Sequence, residues 1–121
     1  MSDVNILIVD DSRTSKRILR NLLESQGYTV VAEAGDGEEG YAKYQEVKPD
    51  LVTMDITMPK MDGIESLTLI KKFDPSAKVV MITAAGQKEK MVEALKRGAD
   101  EFITKPFDPE EVSSIIKRLT Q

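Results

Sequence analysis

The sequence contains no cysteine, no histidine and no tryptophan. Without cysteine there are no disulfides, no thiolate metal sites and no thiol nucleophile. The missing histidine excludes more: no imidazole base, no Ser-His-Asp triad, no His-ligated zinc and no phosphohistidine on this chain. Any chemistry falls to carboxylates, lysines, hydroxyls, backbone groups or a hard cation held by oxygen. Long hydrophobic runs are absent too, and a stretch such as Val79 to Ile82 is far too short to cross a bilayer. Met1-Ser2-Asp3 shows no basic start ahead of an apolar stretch, so no signal peptide is expected. Positive charge is in deficit, with 17 Lys and Arg against 21 Asp and Glu and a net charge of -4. With a pI of about 4.9 the chain lacks the basic footprint of a nucleic-acid binder. The expectation is a cytoplasmic domain with neither nucleic acid nor membrane as partner.

What is present is a globular balance, 40% hydrophobic and 31% charged over 121 residues. That length is one domain's worth, expected to span residues 1–121, and hides roughly two-thirds of its unfolded surface. Short apolar runs recur along it: Ile6-Val9, Thr29-Ala32, Leu51-Met54, Val79-Ile82 and Phe102-Thr104. Being short, β-branched and continuous, they predict strands buried on both faces. Between them lie helical-period stripes. These are Ile18, Leu19, Leu22 and Leu23; Tyr41, Ala42, Tyr44 and Val47; Ile64, Leu67 and Ile70; Met91 and Leu95; and Val112, Ile115, Ile116 and Leu119. Gly27 and Gly98 stand just past two stripes, where a left-handed residue ends a helix. Asp108 followed by Pro109 predicts an N-cap and first turn for the last helix.

Five βα units in succession predict an α/β fold with a five-stranded parallel sheet, doubly wound because the chain is too short for a closed barrel. Such sheets bind ligands at the carboxyl ends of their strands. The first run ends in Asp10-Asp11, the third in Asp55 and the fourth in Thr83, and the fifth leads to Lys105. Each has a plain alternative. Asp11 or Ser12 caps a helix, Asp55 ends a strand in solvent, Lys105 is a surface lysine. Together they make a different case. If the first and third strands are neighbours, three carboxylates crowd one crevice, which is unfavourable unless a cation or proton neutralises them. An all-oxygen donor set suits Mg²⁺, with Mn²⁺ as the alternative, rather than zinc. Lys105 and Thr83 add what an incoming phosphoryl group requires, and Asp55 then stands as the nucleophile of an aspartyl phosphate.

These residues resemble the receiver domain of bacterial two-component response regulators. Ile8-Val9-Asp10-Asp11-Ser12, Met54-Asp55-Ile56-Thr57-Met58-Pro59, Met61-Asp62-Gly63, Thr83-Ala84-Ala85-Gly86 and Lys105-Pro106-Phe107 match its motifs in order, from the first strand to the last helix. The resemblance implies the flavodoxin-like strand order 2-1-3-4-5. It implies Asp55 as phosphoacceptor, with Asp10, Asp11, Asp55 and the Thr57 backbone carbonyl as the Mg²⁺ ligands. Lys105 would pair with the phosphoryl oxygens across a cis bond to Pro106, and the backbone of Ile56, Thr57 and Ala84 would also contact them. Thr83 and Phe102 take the switch positions. Met61-Asp62-Gly63 is expected to shape a loop, with Gly63 or Gly86 serving backbone conformation or close approach.

No output domain follows Gln121 in this sequence, so it is most similar to the stand-alone receivers of chemotaxis. That similarity implies a monomer that is no enzyme beyond its own phosphoryl transfer and dephosphorylation. A sensor histidine kinase would donate, the flagellar motor switch protein would receive the output, and a separate phosphatase would erase the signal. The implied output face carries Lys88, Lys90, Met91, Lys96, Arg97 and Phe102, and Phe102 lacks the hydroxyl of the tyrosine many such regulators have there. The alternatives within the family are a single-domain phosphorelay intermediate and a receiver excised from a longer regulator. A flavodoxin-like cofactor binder is disfavoured by Asp10-Asp11, and an Asp-x-Asp phosphatase by the missing second acid in Asp55-Ile56-Thr57. Thr57 and Ala85 border the path of hydrolytic water in this family. Neither carries a carboxylate or carboxamide, so slow self-hydrolysis is expected.

Overall fold

A computed structural model describes residues 4–121, and the expectation for Met1-Ser2-Asp3 lies outside that range. Strands and helices alternate as β1 Asn5–Val9, α1 Arg13–Ser25, β2 Thr29–Ala34, α2 Gly37–Val47 and β3 Leu51–Asp55. They continue as α3 Gly63–Phe73, β4 Val79–Thr83, α4 Lys88–Lys96, β5 Glu101–Thr104 and α5 Pro109–Thr120. All strand pairs are parallel, in the order β2-β1-β3-β4-β5. The doubly wound architecture is the expected one.

Alternation along the strands divides the interior into two cores. Leu7, Val9, Val52, Met54 and Met81 face α2, α3 and α4, where they meet Tyr44, Leu67, Ile70 and Ala94. Ile6, Ile8, Leu51, Val80, Ile82 and Ile103 face the other way, onto Leu19 and Leu23 of α1 and Val112, Ile115 and Ile116 of α5. Period two on the strands and 3.6 on the helices accounts for both sets.

The apolar pattern over-reaches at several positions. Strand β2 is not buried on both faces: it lies at the sheet edge, and Val31 is 37% exposed. In α1 the buried column is Leu19 and Leu23, while Ile18 is 51% exposed. A residue's step of about 100° turns the neighbouring column off the sheet. In α4, Ala94 rather than Leu95 points inward, and Leu95 is 56% exposed. Ala42 of α2 is exposed as well.

Helix starts follow local chemistry. The side chains of Ser12, Asp36, Asp62 and Asp108 accept backbone N–H groups from the first turns of α1, α2, α3 and α5. Each such cap contributes about 1 kcal/mol. Helix α4 differs, since its N-cap Gln87 makes no side-chain cap bond. Gly27 and Gly98 adopt positive φ, +91° and +102°, past the ends of α1 and α4.

Candidate functional site

Parallel strands in the order β1-β3-β4-β5 bring their carboxyl ends side by side along one edge. Asp10 follows β1, Asp55 ends β3, Thr83 ends β4 and Lys105 follows β5. The carboxylates of Asp10, Asp11 and Asp55 each offer an oxygen within 4.8 Å of the others. Lys105 Nζ lies 3.2 Å from Asp10 Oδ2 and 3.8 Å from Asp55 Oδ2. Asp10 Oδ1 accepts the Ser12 N–H at 2.8 Å, and Asp55 Oδ1 accepts the Ile56 N–H at 3.0 Å. Ser12, not Asp11, caps α1, its Oγ accepting the Ser15 N–H at 3.1 Å.

Asp55 is only 9% exposed. Burial raises its pKa from 3.8 to about 6, the Asp10 charge adds to the rise, and Lys105 opposes it. One lysine does not neutralise three crowded acids. That residual repulsion, and an all-oxygen donor set, fit a hard divalent cation.

The backbone around Asp55 is built by a close crossing. Gly63, at the start of α3, donates its N–H to Ile56 O at 2.7 Å. A Cβ at Gly63 would stand 2.0 Å from Asp55 O, so no larger residue fits without displacement. Asp62 caps α3 by accepting the Glu65 N–H at 2.9 Å. Gly37 donates to Met61 O at 2.9 Å, tying α2 to the same loop. The Met61-Asp62-Gly63 segment therefore shapes the loop rather than lending side chains to the acidic cluster.

Thr83 is 1% exposed, and its Oγ1 lies 3.5 Å from Thr104 Oγ1 across β4 and β5. Lys105 donates its backbone N–H to Thr83 O at 2.9 Å, and the Lys105–Pro106 bond is cis. Phe102 is half-buried against the core under α4. A cavity lined by Val4, Tyr44, Pro49, Asp50, Asp74 and Gln121 opens at the opposite edge of the sheet, away from all of these groups.

The sequence profile of the response regulator receiver domain matches residues 6–117. The chain belongs to this family. It is 44% identical over 116 residues to the chemotaxis protein CheY of Thermotoga maritima, a match covering 96% of this chain and 97% of that protein. It is 45% identical over 113 residues to CheY of Bacillus subtilis, covering 93% and 94%. Among solved structures, the crystal structure of the CheX-CheY-BeF3-Mg complex from Borrelia burgdorferi superposes with a TM-score of 0.91 at 41% identity. That match covers 98% of this chain and 90% of the other.

A receiver of two-component signalling, CheY-like in sequence and fold, thus carries its acidic cluster at the expected edge. The family uses Mg²⁺ in such an acidic pocket, and Asp10, Asp11 and Asp55 are the residues that form it here. Among the described residues no helix is long and apolar enough to cross a membrane.

Around the receiver's cluster, the other singled-out residues are placed unequally. Lys88, Lys90 and Lys96 of α4 are exposed, and Met91 packs half-buried on the core. Arg97 departs from that group. Its guanidinium donates to Thr68 Oγ1 of α3 at 3.1 Å and pairs with Glu93 at 3.2 Å, so it is turned toward α3. Of the backbone groups around Asp55, the Ile56 N–H is shared between Asp55 Oδ1 and, at 3.3 Å, Ile82 O. The Ala84 N–H is held at 2.7 Å by a side chain that the sequence did not single out, Gln87 Oε1. Gln87 Nε2 in turn donates to Thr57 Oγ1 at 2.8 Å. Gly86, with φ +88°, turns the chain just before Gln87. No periodicity or motif marks this bridge, because glutamine at a helix start is unremarkable in sequence.

Proposed function

We propose that this receiver accepts a phosphoryl group on Asp55 from the phosphohistidine of a separate sensor kinase. The observation that carries the proposal is the approach of Lys105 Nζ to Asp55 Oδ2, 3.8 Å, beside the Asp10 and Asp11 carboxylates. An Asp55 carboxylate oxygen attacks phosphorus, the phosphorus–nitrogen bond breaks, and its electron pair returns to the donor's imidazole. Lys105 neutralises charge on the transferred oxygens and holds them in place. Asp10, Asp11, Asp55 and the Thr57 carbonyl would hold Mg²⁺, which supplies the remaining positive charge. Backbone N–H groups of Ile56, Thr57 and Ala84 complete the cradle as the present bonds of Ile56 and Ala84 yield.

Thr83 then moves toward the phosphoryl group and Phe102 repacks, altering the surface formed by α4, β5 and α5. Lys88, Lys90, Lys96 and Met91 present that change to a partner. The similarity to chemotaxis proteins supports the flagellar motor switch as that partner, the sensor kinase of chemotaxis as donor, and a separate phosphatase as eraser. The protein acts as one cytoplasmic, monomeric receiver domain over residues 1–121 and catalyses nothing beyond its own phosphorylation and dephosphorylation.

The test is intact-mass measurement after incubation with acetyl phosphate and Mg²⁺. One phosphoryl group is expected on the wild type and none on Asp55→Asn. Undiminished labelling of the variant rejects Asp55 as the acceptor. Capture of the motor-switch protein by the phosphorylated form alone supports the chemotaxis output, and capture of a histidine phosphotransfer domain instead assigns it to a phosphorelay.

A further inference from the structure

Helix α4 starts without a side-chain cap because its N-cap side chain is occupied elsewhere. Gln87 reaches back from the start of α4 to the loops after β3 and β4, taking the Ala84 N–H with Oε1 at 2.7 Å and giving an N–H to Thr57 Oγ1 at 2.8 Å. One carboxamide therefore ties the loop after β3, the loop after β4 and the first turn of α4 together. The Gln87 backbone oxygen also accepts the Met91 N–H at 3.0 Å, so the bridge and the helix share a residue.

The Ala84 N–H is a single donor. Resting on the phosphoacceptor reading, it immediately follows Thr83 and is one of the groups a phosphoryl oxygen on Asp55 must engage. We propose that Gln87 is a positioning residue that competes with the phosphoryl group for the Ala84 N–H and is released when Asp55 is phosphorylated. The exchange runs in that direction because a bond to an anionic oxygen is about twice as strong as one to a neutral amide. Once Oε1 is displaced, the tie to Thr57 has lost its second anchor and the first turn of α4 is free. Lys88, Lys90 and Met91 lie within that turn or just after it. A ligand shifts a two-state equilibrium only through contacts that differ between the states, and this donor changes partner between them. The bridge thus stabilises the unphosphorylated form and opposes occupancy of the site.

Beryllofluoride with Mg²⁺, binding followed by NMR titration, is the probe. Removing the competitor in Gln87→Ala is expected to tighten binding about threefold to tenfold, the effect of one net hydrogen bond. Gln87→Glu keeps the acceptor but places negative charge beside the incoming anion, so it is expected to bind more weakly than wild type. A residue that merely supported the fold would weaken binding in both variants. The Ala84 amide resonance is expected to differ between free wild type and free Gln87→Ala, and to coincide once both are saturated.

Unchanged or weaker binding by Gln87→Ala overturns the proposal, as does an Ala84 difference that persists at saturation. Asp55→Ala separates the two levels. Beryllofluoride binding that survives it overturns the acceptor assignment and the latch together. Wild-type binding lost in Asp55→Ala but unaltered in Gln87→Ala overturns the latch alone.

Discussion

Gly63 and Asp55 are in such close register that a methyl group at Gly63 would stand 2.0 Å from the Asp55 carbonyl oxygen. The start of α3 and the end of β3 are therefore packed backbone to backbone, with the Gly63 N–H bonded to Ile56 O at 2.7 Å. Gly63→Ala must push the two apart. It is expected to cost about 1–3 kcal/mol of stability, the usual penalty of overpacking. Because the displaced atoms belong to Asp55, beryllofluoride binding should weaken as well. Urea melts with a parallel binding titration check both; an unchanged midpoint would mean that the crossing relaxes freely.

The buried Asp55 carboxylate makes stability depend on pH. Its pKa in the folded state is raised from 3.8 to about 6, so the folded protein binds this proton more tightly than the unfolded chain. Stability from this group is complete below about pH 4, falls as pH rises toward 6, and stays low above. An elevation from 3.8 to about 6 corresponds to about 3 kcal/mol. Asp55→Asn should therefore stabilise the protein at pH 7.5 by up to that amount, with the gain vanishing below about pH 4. Denaturant midpoints of both proteins across pH 4 to 8 measure the difference. A gain that is constant with pH would assign it to packing rather than charge.

The same repulsion predicts a response to divalent cations. Mg²⁺ at ten times its dissociation constant should add about 1.4 kcal/mol of stability by mass action. Asp11→Ala removes one of the three clustered carboxylates and should reduce the metal's contribution. EDTA should abolish both the stabilisation and phosphorylation by acetyl phosphate. Full phosphorylation in EDTA would remove the cation from the site.

Thr83 Oγ1 sits 3.5 Å from Thr104 Oγ1, a long contact that leaves the hydroxyl weakly held. Thr83→Ala should still accept a phosphoryl group, since Asp55, Lys105 and the acidic pair are intact. It should fail to transmit, because a contact proposed to differ between the two states is gone. Amide shifts of Phe102 and Lys90 on beryllofluoride addition should shrink markedly relative to wild type. Shifts as large as in the wild type would place the switch elsewhere.

The lifetime of the phosphorylated form is expected to be long. Ala85 offers no polar side-chain group, and Thr57 carries neither a carboxylate nor a carboxamide to orient water. Supplying groups that orient water, with Thr57→Asn and Ala85→Glu together, should speed decay about tenfold. Decay of the phosphorylated protein, followed by intact mass or fluorescence of a labelled variant, measures this. Unaltered decay in the double variant would mean that another feature of the pocket sets the lifetime.

Local sequence was sufficient for much of what short-range chemistry governs. Four helix starts are capped by Ser or Asp, and Gly27 and Gly98 take the positive φ that their places after α1 and α4 require. Asp55, Thr83 and Lys105 were legible as site candidates because each ends or directly follows an apolar run, and a parallel sheet collects such ends along one edge. Only the folded chain decided matters of long-range contact. Ile18 and Leu19 are equally apolar in sequence, yet only Leu19 meets the sheet, because the helix's rotation is set by its packing partners. Strand β2 reads like a buried strand, but its place at the edge is a property of the whole sheet. Arg97 reads as one of a run of exposed cations, and a contact with Thr68, distant in sequence, turns it toward α3. Gln87 carries no pattern at all. Its role rests on a bond to Ala84 within the loop after β4 and on a second to Thr57, whose loop comes within reach only when β3 and β4 pair, and no local periodicity encodes which neighbour a flexible side chain will find.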